Sequence, residues 1–318
     1  MIGFIVLISD IAFSVPYPVV FVHGTGDSSV AWKNSGPAVS RYLEKYYKTS
    51  KHQIFSSGSG IGKDRFDKEF SDNARDSCIY VTFSDHFAGP DKLSGELKKT
   101  IDDTVEETWA NFKDHFRSKE DIKVNLVCHS LGGLAARKYL VDNYKDHHVS
   151  KLVLIGVPNK GISVLTLNWL PAGLVVGGAA GFLLSGNPLF LSASVVGAVS
   201  DALSYARGVK LISEATGAMK PDSMFLSDLN GSEMPSDVEY VVILCRAEDF
   251  LHASSNRILG YEKGDGAISF DSQSLKHAGI PNFKELNYRE LEAVSSHFEE
   301  PSGSERAIIE ALNVSVLN

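Results

Sequence analysis

The chain has 318 residues, enough for one large α/β domain with insertions or for two domains. Its formal net charge is −8 and no long basic run occurs, which argues against a nucleic-acid partner. Three cysteines, Cys78, Cys128 and Cys245, offer neither a disulfide framework nor metal-ligand spacing; each lies in or at the end of a strand-like run and reads as a small buried residue.

From the N-terminus, Met1 to Ile8 is apolar and Ala12-Phe13-Ser14 has the small-x-small form of a cleavage site. No Lys or Arg precedes this stretch and Asp10 interrupts its end, so residues 1–17 stand open between a signal peptide or leader and an N-terminal strand. Pro18 to Val22 reads as a buried strand, running into His23-Gly24-Thr25-Gly26. Residues 36–48 read as a helix and 50–76, polar and mixed in charge, as a long surface loop. Cys78 to Phe83 is a second strand. Leu93, Leu97, Ile101, Val105, Trp109, Phe112 and Phe116 recur at helical spacing, predicting a long amphipathic helix. Further strands are expected at Val124 to Val127, Lys151 to Val157, Val238 to Leu244 and Lys284 to Leu291, with a terminal helix from Ser304 to Leu312. Short apolar strands alternating with helices imply an α/β class, a mostly parallel sheet covered by helices on both faces.

Residues 161–200 contain no charged side chain. The run from Trp169 to Leu191 has the length of a membrane helix, but Pro171, Asn187 and Pro188 break it and it lies between two strands of one sheet. An apolar helical lid over about 161–215, inserted between two late strands, is the preferred reading; peripheral membrane insertion through 161–200 is the competing one.

The chemistry centres on Cys128-His129-Ser130-Leu131-Gly132-Gly133, between an apolar strand and a helix-like stretch. Strand, tight turn and helix form a nucleophile elbow, which lifts a serine hydroxyl above the sheet and aims a helix N-terminus at the oxyanion. Ser130 is the candidate nucleophile. The positions two away on either side must be small; Gly132 meets this, whereas Cys128 stands where glycine is usual. The backbone N–H groups of Thr25 and Leu131 are the candidate oxyanion donors, with His23 and Gly24 supporting the first loop. Elbow hydrolases carry serine, acid and histidine in that chain order. Asp265 in Gly264-Asp265-Gly266 is the candidate acid, with Asp249 and Asp271 as rivals. Of ten histidines only His277 and His297 follow it; His277 lies in a polar stretch, so His297 is the candidate base. His129 is expected to point away from the site, and Trp32 to line either the pocket or the core. Because these candidates run from residue 23 to residue 297, one domain over 18–318 is favoured.

Five segments together resemble α/β-hydrolase lipases: Val19 to Gly24, Cys128 to Gly133, Gly156-Val157-Pro158-Asn159-Lys160-Gly161, Gly264-Asp265-Gly266 and Ser296-His297-Phe298. The similarity is to bacterial triacylglycerol lipases and to the related inositol deacylases that act on lipid anchors. Ser223 to Asn230 is also similar to a segment downstream of the lid in such lipases. The resemblance implies an α/β-hydrolase fold, Ser130 as nucleophile, Asp265 as acid and His297 as base, and no cofactor. Some members bind a structural calcium near the histidine loop; only Glu299 and Glu300 stand there in this chain, so no metal is carried over.

The expected activity is therefore hydrolysis of lipid or other acyl esters. An acyltransferase or a lipid head-group deacylase would use the same residues, and a lipid-binding module that has lost catalysis is the rival of another class. A secreted or membrane-associated location is favoured over a cytoplasmic one.

Overall fold

The computed structural model describes residues 17–27, 29–32, 35–36, 38–39, 78–85, 87–163, 214–248, 256–257 and 259–312. The expected leader, most of the 36–48 helix, the 50–76 loop, the rival Asp249 and nearly all of the 161–215 lid lie outside them.

Among the described residues six strands form one sheet: β1 (Val19–Val22), β2 (Cys78–Tyr80), β3 (Val124–His129), β4 (Val149–Ile155), β5 (Glu239–Arg246) and β6 (Asn287–Val294). Their order is β2-β1-β3-β4-β5-β6 and every pairing is parallel. Parallel neighbours need crossovers, and helices supply them. Among the described residues α1 (Pro90–Phe112), α2 (Leu131–Asp142), α3 (Met224–Asn230) and α4 (Phe270–Gln273) lie between successive strands, while α5 (Glu300–Gly303) and α6 (Glu305–Leu312) follow the last strand.

Alternate residues of a strand face opposite sides of a sheet, so continuous apolar strands feed two cores. Val20, Val22, Leu126, Cys128, Leu152, Leu154 and Val242 face a large core with Leu93, Leu97, Ile101 and Val105 of α1 and Leu134, Tyr139 and Leu140 of α2. Val19, Phe21, Val127, Val153, Ile155 and Val241 face a smaller one, with Trp32 and with Ala307, Ile308, Ala311 and Leu312 of α6. Trp32 belongs to that core, fully buried with its ring 5.0 Å from Phe21. Cys128 is also fully buried in the larger core, where burial pushes its thiol well above the usual range.

The expected boundaries shift where end chemistry, not the apolar pattern, decides them. α1 starts at Pro90, since proline suits the first helical turn, and ends at Phe112 with a 3-10 turn following. β2 stops at Tyr80; the chain still donates from Val81 N–H to Phe21 O (2.9 Å), then turns so that Phe83 N–H reaches His23 Nε2 (3.3 Å). The mixed composition of β6 reflects its place at the sheet edge, half-exposed on both faces.

The chain leaves β4 and returns toward β5 through a pinned gateway. Ile162 N–H donates to Met219 O (2.8 Å), and Gly161, at φ 91°, packs against the backbone of Pro221. Residues 162 and 219, far apart in sequence, are thus tied together by backbone. Among the described residues no helix is long and apolar enough to cross a membrane.

Candidate active site

All the candidate residues follow the carboxyl ends of strands, where open parallel sheets place their ligand sites. Ser130 follows β3 directly and is the only non-glycine residue with positive φ among the described ones, at φ 51° and ψ −127°. The turn is pinned by Ser130 N–H donating to Ile155 O (3.0 Å) and Gly133 N–H donating to Ser130 O (2.9 Å). Three glycines let neighbouring chain close on it. A Cβ at Gly24 would lie 2.8 Å from the Ser130 Cβ; at Gly132 it would overlap the His23 carbonyl; at Gly133, the Val157 side chain.

The structure brings Ser130, His297 and Asp265 into one chain of contacts. His297 Nε2 lies 3.1 Å from Ser130 Oγ, and His297 Nδ1 lies 3.0 Å from Asp265 Oδ2. His297 follows β6, and its N–H donates to Asp265 O (3.1 Å), tying the two loops by backbone as well. Asp265 Oδ1 accepts from the N–H groups of Ala267 (2.8 Å) and Ile268 (2.6 Å). Asn256 braces the same turn, donating to Gly264 O (2.8 Å) and accepting from Gly266 N–H (3.0 Å). The rival Asp271 pairs instead with Lys160 and with exposed His277 (2.5 Å), at the surface.

On the oxyanion side, Leu131 is the first residue of α2, in the turn whose N–H groups have no partner within the helix. Thr25 sits in the turn after β1, and its Oγ1 is buried without a hydrogen-bond partner. His23 supports this loop from beneath. Its Nε2 accepts from Phe83 N–H (3.3 Å), which puts the proton on Nδ1, 2.8 Å from Gly24 O.

His129 does not point away from the site. Its ring packs on that of His297 (centroids 4.9 Å apart), and its Nε2 lies 3.1 Å from His297 O and 3.0 Å from Glu300 Oε2. Two acceptors on one nitrogen fix the proton there. The positive φ of Ser130 reverses the chain just after His129, so the alternation expected of a strand does not govern where this ring goes.

Sequence reasoning missed two further residues. Gln273, fully buried on α4, donates from Nε2 toward Cys245 O (3.0 Å), Ile268 O (3.1 Å) and Asp265 Oδ2 (3.2 Å), and accepts from Cys245 N–H (2.7 Å). Glu300 is fully buried at the start of α5, 3.4 Å from His297 Nδ1. Gly156 makes room for it, since a Cβ there would overlap the Glu300 carboxylate. The sequence signal for Glu300 was its place three residues after His297; Gln273 left none.

A polar chain links this site to the gateway. Arg137, fully buried on α2, donates to Asn159 Oδ1 (3.1 Å) and Asn230 Oδ1 (2.8 Å), and burial lowers its pKa to about 9. Asn159 Nδ2 donates to Gln273 O (2.6 Å), and Asn230 Nδ2 to Asn159 O (2.8 Å). The Ser223 to Asn230 segment thus acquires a role: Ser223 Oγ caps α3 by accepting from Leu226 N–H (3.2 Å), and Asn230 at its other end holds the network.

The electrostatics follow from two buried carboxylates around one imidazole. Burial disfavours charge on His297, but Asp265 and Glu300 more than offset it and raise its pKa to about 10. Burial also pushes Glu300 up, yet His297 and His129 outweigh it and hold the carboxyl at about 2. Asp265 rises to about 7, through burial and then the charge of Glu300, against the pull of His297. Among the described residues, His129, His297 and Glu300 form a group whose donor atoms lie within 4.8 Å of one another. A cation held by all three would have to displace a contact of His297, both of whose ring nitrogens are engaged. Chemically, the arrangement can take a proton from the Ser130 hydroxyl, hold the resulting imidazolium and return the proton to a leaving group.

Residues 9–169, half of the chain, match the family described as an alpha/beta hydrolase of unknown function (DUF915). Residues 97–257 match a domain of unknown function (DUF7379). No curated protein matches the chain. Among solved structures, the mature Bacillus licheniformis lipase BlEst2 aligns over 94% of this chain and 93% of its own, at 17% identity and a TM-score of 0.51. Its propeptide form aligns over 95% of this chain and 51% of its own, at 17% identity and a TM-score of 0.50. The product of the gene lin2722 from Listeria innocua aligns over 94% of both chains, at 16% identity and a TM-score of 0.49. At these identities the likeness to BlEst2 is one of fold, and it agrees with the parallel sheet described above. The match over half its length makes the chain a member of the alpha/beta hydrolases of the DUF915 family.

Proposed function

We propose that this hydrolase cleaves carboxylic esters of lipids through an acyl-enzyme on Ser130. The observation that carries the reading is the run of contacts from Ser130 Oγ through His297 to Asp265, at 3.1 and 3.0 Å, built on a strained serine. Ser130 Oγ attacks the ester carbonyl carbon while its proton passes to His297 Nε2. The tetrahedral oxyanion is met by the N–H groups of Leu131 and Thr25. The imidazolium, balanced by Asp265, gives its proton to the departing alkoxide, and the acyl group stays on Ser130. Water then repeats the sequence and releases the acid.

The lipid character of the substrate rests on the uncharged stretch 161–200, which follows β4 in the chain and so starts at the carboxyl edge of the sheet. An apolar cover there suits acyl chains, since each buried CH₂ contributes about 0.8 kcal/mol. The name of the Bacillus licheniformis structure, a lipase, points to the same class of ester.

The test is hydrolysis of p-nitrophenyl esters from butyrate to palmitate by the wild-type protein and by Ser130→Ala and His297→Ala. The reading expects near-complete loss in both variants and rates that favour the longer acyl groups. Full activity in either variant would sink the assignment, and a strict preference for butyrate would replace lipids with short soluble esters. Product analysis with added alcohol separates hydrolysis from acyl transfer.

A further inference from the structure

Glu300 is unlike any other acid of the described chain. It is fully buried, its two oxygens make no well-aligned hydrogen bond, and its Oε2 lies 3.4 Å from His297 Nδ1 and 3.0 Å from His129 Nε2. A buried carboxylate whose polar partners are only imidazoles is held where positive charge can form beside it. Among the described residues the titratable groups that face it are few: His129 at the end of β3, His297 after β6, Asp265 beside them, and the Cys245 thiol on β5. His297 alone is required to become positive during the proposed reaction. Gly156, at φ 53°, keeps the space in which the carboxylate sits, so the placement is built by two separate segments.

We propose that Glu300, held by His129, is a positioning residue for His297: a second counter-ion to its imidazolium and a reserve acceptor for its Nδ1–H. The inference rests on the triad reading above. While Asp265 is present, His297 Nδ1 sits closer to it, at 3.0 Å, and Glu300 adds only charge. That charge makes His297 more basic, so more alkaline conditions are needed to free Nε2 for the serine proton, in line with the raised pKa of the ring. When Asp265 is lost, Glu300 becomes the only carboxylate beside Nδ1. The proton stays on Nδ1, and Nε2 remains the lone pair facing Ser130 Oγ.

Two measurements test this. In a site without a reserve, replacing the acid by its amide puts the imidazole in the wrong tautomer and costs about 10⁴-fold in kcat. Asp265→Asn is expected to lose less than about a hundredfold, and Asp265→Asn/Glu300→Gln to fall to the full loss. In Glu300→Gln alone, the acidic limb of the kcat/KM profile is expected to move to lower pH by about one unit or more, the effect of removing one opposite charge at this range. Glu300→Asp, which keeps the charge, is expected to restore the wild-type limb. A purely structural glutamate would lower stability without moving the limb. If Glu300→Gln fails to fold, Asp265→Asn alone decides, because its loss is either modest or about 10⁴-fold. A full loss in that single variant, or an unmoved limb in folded Glu300→Gln, overturns the proposal. Activity surviving in Ser130→Ala would instead overturn the triad reading on which it stands.

Discussion

The backbone at Ser130 offers a test of the elbow that is independent of any substrate. With φ 51° and ψ −127°, the residue occupies the mirror image of ordinary extended backbone, open without penalty only to glycine. A side chain held there stores about 1–3 kcal/mol of strain. Consider Ser130→Ala and Ser130→Gly. Both remove the hydroxyl and its contact with His297 Nε2, so that loss cancels between them. Ala keeps the strained Cβ and Gly discards it. Against this gain, glycine loses about 0.5–1 kcal/mol through the greater freedom of the unfolded chain. The balance favours Ser130→Gly by about 1 kcal/mol. For a chain of this size that is about 2 °C in Tm, with unchanged urea m-values. Thermal melts and urea titrations of the two inactive variants read the difference directly. A Gly variant that melts at or below the Ala variant would show that the turn stores no strain and that the elbow argument is wrong.

Three other outcomes are expected. Because Asp265 and Glu300 raise His297 to about 10 and the base must be neutral to accept a proton, blank-corrected kcat/KM for a p-nitrophenyl ester should climb from pH 6 toward pH 10; a plateau already reached by pH 7 contradicts this. Gln273→Leu keeps the volume but strips partners from Cys245 N–H, Cys245 O and Asp265 Oδ2. It should cost roughly 3 kcal/mol, at about 1–3 kcal/mol for each buried polar group left unpaired, and equilibrium unfolding measures it. Gly132→Val would drive its side chain into the carbonyls of Val22 and His23, which are backbone and cannot step aside, so soluble expression should fail while the conservative surface change Lys98→Arg expresses normally.

The parts of this molecule that were legible in the sequence are those governed by local pattern. Continuous apolar strands such as Val19–Val22 announce burial on both faces, and Ser130, Asp265 and His297 stand in the chain order that the proposed chemistry requires. What stayed hidden depends on tertiary approach. Glu300 sits among charged and polar neighbours in a stretch that reads as surface, and only the cavity opened by Gly156, far away in sequence, makes it a buried partner of His297. Gln273 lies in a four-residue helix with no periodicity to read, and its contacts run to Cys245, Ile268 and Asp265. Arg137 carries no signal of its burial in the sequence; it is buried with two asparagines, at 159 and 230, supplying acceptors for its guanidinium. His129 illustrates the failure of strand alternation at the residue where the strand reverses.

The hydrogen bond between Ile162 and Met219 has a consequence for how such a protein can change. A segment whose two ends are clasped together is topologically a cassette: its length and composition can vary without altering the register of any strand. The entropic cost of a longer or shorter excursion grows only as the logarithm of its length, about 0.6 kcal/mol per doubling. Evolution, or an engineer, can therefore change the length of chain between the clasp residues at little cost to the sheet that aims Ser130.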